Sequence, residues 1–273
     1  MITSMANAQM KKINKLKKQI HARRQEGLFV VEGWKMVSEA LSHALVANLF
    51  VREQERESYE GRLREMGCQT IPTDVPVAFV ADSVFRQLSD TVAPQGILAV
   101  VRMPRYDREK VVQAQAGGIY EQAKLLVLEN IQDPGNMGTI LRTAEGAGIS
   151  GIVLGKGCVD LFNPKVVRAT MGSLFRVPYY FCGDIIFEVT TLKERGFTFY
   201  AAHLQGEKAY CEPDYQGKLG ILIGNEANGL SAELSALADV KVKIPMEGRL
   251  ESLNAAISAA LFAYEVHRKA PNR

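Results

Sequence analysis

Apolar positions along the chain follow two rhythms. Residues 11–26 carry bases at helical spacing, and Leu28-Phe29-Val30-Val31 predicts a short strand entering Glu32-Gly33. Helical spacing follows over 34–44, then a strand over 45–51 and a charged helical stretch over 53–66. An extended piece at 68–71, a helix over 80–88 and a strand over 96–102 complete a small αβ unit. Residues 104–122 are charged, poor in apolar side chains and carry Gly117-Gly118, the pattern of a linker. Beyond it, strand and helix alternate. Apolar runs at 124–129, 151–155, 175–181, 197–203, 219–224 and 240–244 predict strands, and a long helix closes the chain over 252–268. Apolar strands alternating with helices predict a largely parallel sheet covered on both faces. The expected organisation is therefore α/β in two parts: a small α/β domain over 1–103, a linker over 104–122 and a larger domain over 123–273.

Composition narrows this reading. The 273 residues suit about two domains. Hydrophobic content of 47% against 23% charged excludes a disordered or fibrous chain. No apolar run is long enough for a membrane-spanning helix, and the first ten residues lack the pattern of a secretion signal. Cys68, Cys158, Cys182 and Cys211 form no C-x-x-C pair, which suits neither a zinc site nor a disulfide framework. No metal and a reducing, cytoplasmic setting are the expectation.

Charge adds an asymmetry. Seven of the 33 bases (Lys11, Lys12, Lys15, Lys17, Lys18, Arg23 and Arg24) lie in residues 1–24, which hold no acid. The remaining 26 bases face 30 acids, so a basic arm precedes a mildly acidic body. That pattern is an electrostatic footprint of nucleic-acid binding, although a solvated helix face would look the same.

Candidate chemistry starts with a decoy. Gly146, Gly148 and Gly151 match the dinucleotide fingerprint G-x-G-x-x-G, but a helical segment precedes them and a strand follows, the reverse of the order that motif requires. A helix stop suits these glycines better. Gly155-Lys156-Gly157 likewise lacks the rest of a Walker loop. Three other clusters each follow an apolar strand. In the first, Asp133-Pro134-Gly135 is turn chemistry, Asn136 can cap the next helix, and Arg142 falls within it. The second is a glycine-bounded polar turn from Gly224 to Gly229 around Glu226. In the third, Ile244-Pro245-Met246 leads to Ser252-Leu253-Asn254 and a helix of small and apolar residues. Each residue has a plain structural reading as cap, turn or solvated charge. Their concentration at strand ends of one α/β domain is where function collects.

In order and spacing these clusters resemble the motifs of the SpoU (TrmH-like) RNA ribose methyltransferases of the SPOUT superfamily. N-x-x-D-P-x-N-x-G-x-x-x-R-T is met by 130–143, G-x-E-x-x-G-L by 224–230, and I-P-M-x-G-x-x-x-S-L-N by 244–254. Residues 163–172, with Arg168, also resemble the family, and the amino-terminal part resembles its small α/β substrate-binding domain related to certain ribosomal proteins. Ala255-Ala256 departs from a frequent Val-Ser. The resemblance implies a deep trefoil knot and a homodimer through the carboxy-terminal domain. It implies S-adenosyl-L-methionine held at Ala202, Gly224, Ile244, Met246 and Leu253, largely through backbone groups. Arg142, Asn136, Glu226, Ser252 and Asn254 are the implied catalytic set. The implied substrate is structured RNA, large-subunit ribosomal RNA ahead of transfer RNA, gripped by the amino-terminal bases and Arg168. An antibiotic-resistance methyltransferase would share these motifs. A catalytically silent RNA-binding or ribosome-assembly protein and a nicotinamide-dependent dehydrogenase are the readings from other classes.

Overall fold

The computed structural model describes residues 1–68, 72–225, 227–247, 249 and 252–270. Elements of the first part are α1 (Ala8–Lys18), α2 (Ile20–Glu26), β1 (Leu28–Glu32), α3 (Trp34–Ser42), β2 (Val46–Arg52), α4 (Tyr59–Glu65), β3 (Val77–Val80), α5 (Asp82–Leu88) and β4 (Ile97–Arg102). The rest supplies α6 (Arg108–Val111), β5 (Lys124–Leu128), α7 (Pro134–Gly146), β6 (Gly151–Leu154), α8 (Pro164–Thr170), α9 (Ser173–Arg176), β7 (Tyr179–Phe181) and α10 (Ile185–Glu194). It continues through β8 (Thr198–Ala202), β9 (Lys208–Ala209), β10 (Leu219–Ile223), α11 (Ala232–Ala236), β11 (Val240–Lys243) and α12 (Ala255–Arg268).

Two compact units result. Met1–Pro104 joins Asp160–Phe175 in one, and Arg105–Val159 joins Arg176–Arg273 in the other. The sheet of the first runs β1-β4-β2-β3, with β4 antiparallel to both neighbours and β2 parallel to β3. Its basic segment is no free arm. The helix α1 turns Met10, Ile13 and Leu16 into a core with Val30, Phe50, Phe85 and Leu98. Burying such side chains stabilises by about 1.5–3 kcal/mol each, so hydrophobic spacing holds the helix down.

The sheet of the second unit runs β7-β6-β5-β10-β8-β11-β9, with parallel pairing throughout. The strands β5, β6 and β10 are buried at every residue, as parallel strands covered on both faces must be. From β5 the chain steps outward to β6 and β7, then crosses to β8 on the far side of β10. The carboxyl ends near that reversal are where α/β sheets present ligand crevices.

Several expectations change on folding. Residues 104–122 are packed instead of acting as a spacer: they contain α6 and bury Val111, Val112 and Tyr120. The segment Asp160–Phe175 groups with the amino-terminal unit, through Phe29 against Phe162 and Phe175, although its sequence lies inside 123–273. The apolar run 175–181 starts as a helical turn, Ser173–Arg176, and becomes strand only at Tyr179. Val80 ends β3, and the helix expected from residue 80 begins at Asp82. Part of the extended stretch 68–71 lies outside the described residues. Gly148, at φ 70°, ends the turn between α7 and β6, the helix stop that the decoy motif suggested.

Candidate active site

A cavity of about 870 Å³ opens at the carboxyl ends of β8, β10 and β11, closed on one side by the start of α12. Its walls include Ala202, Gly224, Ile244, Met246 and Leu253, the five residues expected to meet a cofactor, and Ser252. Asn136, Asn254 and Arg142 do not line it.

The loop after β10 owes its shape to Gly224. A Cβ there would overlap the backbone of Gly229 and Leu230, because the loop folds back on itself. Asn225 N–H donates to Gly229 O at 3.0 Å and Gly229 N–H to Asn225 O at 2.9 Å. The Asn225 side chain does more: Oδ1 accepts from Ala227 N at 2.8 Å, and Nδ2 donates to Asn130 O at 2.9 Å. Asn130 sits in the left-handed region at φ 56°, where asparagine is the best tolerated of the non-glycine residues. Glu226, expected in the catalytic set, lies outside the described residues.

On the β5 side the cap differs from expectation. Asp133, not Asn136, caps α7: its Oδ1 accepts from Asn136 N at 2.7 Å, with Pro134 in the first turn. Proline there presets φ and needs no N–H partner, which fixes the residue before it as the cap. Asn136 is thereby the third residue of the helix, and its side chain is not the cap. Its Oδ1 accepts from Asn254 Nδ2 at 2.8 Å. Asn254 in turn caps α12 through Oδ1, accepting from Ala256 N and Ile257 N. The helix expected from residue 252 thus begins at Ala255, and Ser252 stays in the loop facing the cavity. This asparagine pair joins the cavity wall to α7, along which Arg142 stands exposed.

Many wall residues lie outside the assigned set, among them those that follow Ala202, of which the sequence pointed to His203 as a further candidate. His203, Leu204 and Gln205 line the cavity beyond Ala202, and their only signal was adjacency to the end of a strand. His203 Nδ1 accepts from Gln205 N at 3.1 Å. Burial and the nearby Lys241 charge lower the His203 pKa.

The bases expected to hold RNA separate into two groups. Lys11, Lys15, Lys18 and Arg24 are exposed, as is Lys12, which pairs with Glu26 at 2.7 Å. Arg23 is a correction. It is 4% exposed, donates to Asp160 Oδ2 through Nε at 2.8 Å and Nη2 at 2.5 Å, and to Leu16 O at 2.7 Å. Lys17 is a second correction: it is largely covered, donates to Leu88 O and pairs with Asp90 at 3.0 Å. Charge type alone misled, because both face the interior of their own unit. Arg168, half-buried on α8, lies 3.8 Å from Asp90. Among the described residues no group of three or more His, Cys, Asp or Glu could hold a metal ion, and no helix is long and apolar enough to cross a membrane.

Comparison with known proteins completes the picture. Residues 123–264 match the SpoU rRNA Methylase family, and residues 7–99 match the MRM3-like substrate binding domain. The chain is 31% identical, over 91% of its length and 93% of the relative's, to the Bacillus subtilis 23S rRNA (guanosine(2553)-2'-O)-methyltransferase RlmP. Its fold superposes with a TM-score of 0.82 on the AdoMet-bound rRNA methyltransferase from Sinorhizobium meliloti, at 30% identity over 99% of this chain and 98% of that one. The SpoU methyltransferase AviRb from Streptomyces viridochromogenes, in complex with AdoMet, gives a TM-score of 0.82 at 28% identity, covering 96% and 98% of the two chains.

Proposed function

Because this chain belongs to the SpoU rRNA methylase family, we propose that Arg142, Asn136, Ser252 and Asn254 present a ribose 2′-hydroxyl to a methyl donor held in the cavity after β8, β10 and β11. The protein is an S-adenosyl-L-methionine-dependent RNA 2′-O-methyltransferase. The observation that carries the proposed site is the Asn254–Asn136 hydrogen bond, which ties the cavity wall to the helix bearing Arg142.

The cavity suits the donor. Its volume is that of a small-molecule site. Ile223, Leu230 and Phe262 offer apolar surface, and the Gly224 turn, which has no room for a side chain, folds the loop into the cavity wall. No glycine-rich phosphate cradle is needed for a ligand without phosphate. When bound, S-adenosyl-L-methionine supplies an activated methyl group. The protein's work is then alignment and charge. A 2′-hydroxyl is a poor nucleophile and must be held in line while its proton leaves. Arginine stays protonated, so Arg142 acts as a donor: it pairs with an RNA phosphate and steadies the developing alkoxide, while a phosphate oxygen or water takes the proton. Asn136 and Asn254 orient the ribose or brace the loops, and Glu226 completes the set.

Large-subunit ribosomal RNA is the substrate this reading supports, from the named relative and the substrate-binding domain match. Lys11, Lys15 and Lys18 share one exposed stripe of α1, opposite the buried Met10, Ile13 and Leu16. Such a stripe grips phosphates without reading sequence. Arg24 and Arg168 are the further bases of the same reading. We assign a homodimer to the α7–α12 side of the larger unit, where Ile257 and Tyr264, seven residues apart on α12, are 52% and 50% exposed. The family's trefoil knot and a cytoplasmic location belong to the same reading, the latter in keeping with four free cysteines.

Mapping 2′-O-methyl groups by mass spectrometry, in cells with and without the protein, tests the substrate. One ribosomal 2′-O-methyl group is expected to disappear. Loss of a transfer-RNA methyl group with every ribosomal one intact would move the assignment to transfer RNA.

A further inference from the structure

The loop that lines the cavity after β10 is held at both ends by two consecutive residues at the end of β5. At its start, Asn225 Nδ2 donates to Asn130 O at 2.9 Å. At its finish, Ser231 is gripped twice by Glu129: the backbone N–H donates to Oε2 at 2.7 Å and the hydroxyl donates to Oε1 at 2.7 Å. Ser231 Oγ also accepts from Leu234 N at 3.2 Å and so caps α11. One carboxylate thus collects a helix-capping serine and the last turn of the cavity loop. Glu129 itself is fixed by its backbone, donating to Ile223 O at 2.9 Å in continuation of the β5–β10 pairing. From Asn130 the chain runs through Ile131, which accepts from Val159 N at 2.8 Å, to the Asp133 cap and α7.

We infer that Glu129 is a positioning residue for the methyl donor, setting the distance between the cavity loop and α7 by locking Ser231 to the end of β5. The inference rests on the family reading for what the cavity binds, and goes beyond it in naming a residue outside the three motifs. Charge-assisted bonds of this kind are roughly twice as strong as neutral ones. Freeing Ser231 lets the loop that would meet the donor open while the sheet beneath stays intact. The effect should therefore fall on donor binding and leave RNA binding alone.

Isothermal titration of the full-length protein with S-adenosyl-L-methionine and with S-adenosylhomocysteine tests this. Glu129→Ala is expected to weaken both ligands by about tenfold or more, the loss of one charged hydrogen-bond pair. Glu129→Gln retains an acceptor for the Ser231 N–H and is expected to recover most of that loss. Ser231→Ala is expected to weaken binding as Glu129→Ala does, with the double variant no worse than either alone. In steady-state assays KM for the donor rises and KM for RNA stays put, a division that general loosening of the fold would not produce. Wild-type affinity in a folded Glu129→Ala protein overturns the inference, as do additive losses in the double variant. If Glu129→Ala fails to fold, Glu129→Gln and Ser231→Ala carry the same comparison. A wild-type protein that binds neither ligand would instead sink the family reading of the cavity, and this inference with it.

Discussion

The two units meet nucleic-acid chemistry with different materials. In the larger one, the described residues assigned to the site lie at or after the ends of parallel strands, apart from Arg142 midway along α7. In the smaller one, the assigned residues are long bases on helices, and only packing decides which of them reach solvent. Arg23 and Arg24 are adjacent and chemically alike, yet Arg23 is buried against Asp160 and Arg24 is exposed. Motif spacing survives folding because it is loop geometry. A count of charges does not, because an amphipathic helix turns some of them inward.

The sharpest way to break that contrast is Arg23→Ala. Removing one partner of a buried pair leaves Asp160 charged and uncompensated, at about 3–5 kcal/mol, and Leu16 O loses a donor. Urea unfolding should show the loss, while the salt dependence of RNA binding stays as in the wild type. A stable variant with a shallower salt slope would return Arg23 to the RNA surface. Next in size is Arg142→Ala in the larger unit. Turnover is expected to fall about 10²–10³-fold, as for loss of a preorganised donor, with donor affinity and stability unchanged. Normal turnover in a folded variant removes Arg142 from the mechanism.

A smaller effect belongs to the exposed stripe. Replacing Lys11, Lys15 and Lys18 together by Ala should weaken all RNAs alike. Each phosphate contact contributes about 0.7–0.9 to the slope of log K against log salt, so that slope should flatten by about 2. An unchanged slope would mean that α1 offers only a solvated face.

How much could be read beforehand follows the same division. The continuous apolar runs of β5 and β10 made the parallel sheet legible, and two of the three spaced motifs hold Gly224, Ile244, Met246, Ser252 and Leu253, which line the cavity. Ser252 and Asn254 are both good capping residues two positions apart, so sequence alone could not choose between them. Pro134 did carry the signal for Asp133 as the α7 cap. Glu129 was out of reach, because its partner Ser231 is 102 residues away and is brought near only by β5–β10 adjacency. The grouping of Asp160–Phe175 with the first unit was hidden for the same reason: Phe29 and Arg23 find their partners across long stretches of chain.

The smallest effect turns on a buried base in the larger unit. Lys124 is 6% exposed, and its Nζ donates to Tyr215 O at 2.7 Å and Gly217 O at 2.6 Å, with no carboxylate paired to it among the described residues. Burial lowers its pKa from 10.5 to about 8. Between those values the unfolded chain holds a proton that the folded chain has shed, so stability rises with pH across this window and is lost again as pH falls through 8. The slope cannot exceed about 1.4 kcal/mol per pH unit. Buried Tyr215 has a raised pKa and works in the opposite sense above pH 10, so the comparison belongs between pH 8 and 10. Urea midpoints of the wild type should climb there relative to those of Lys124→Met, which has no proton to release. Parallel midpoints for the two proteins would mean that the two carbonyls hold Lys124 charged as firmly as water does. The contrast between a base buried with a carboxylate at Arg23 and one buried against carbonyls at Lys124 would then vanish.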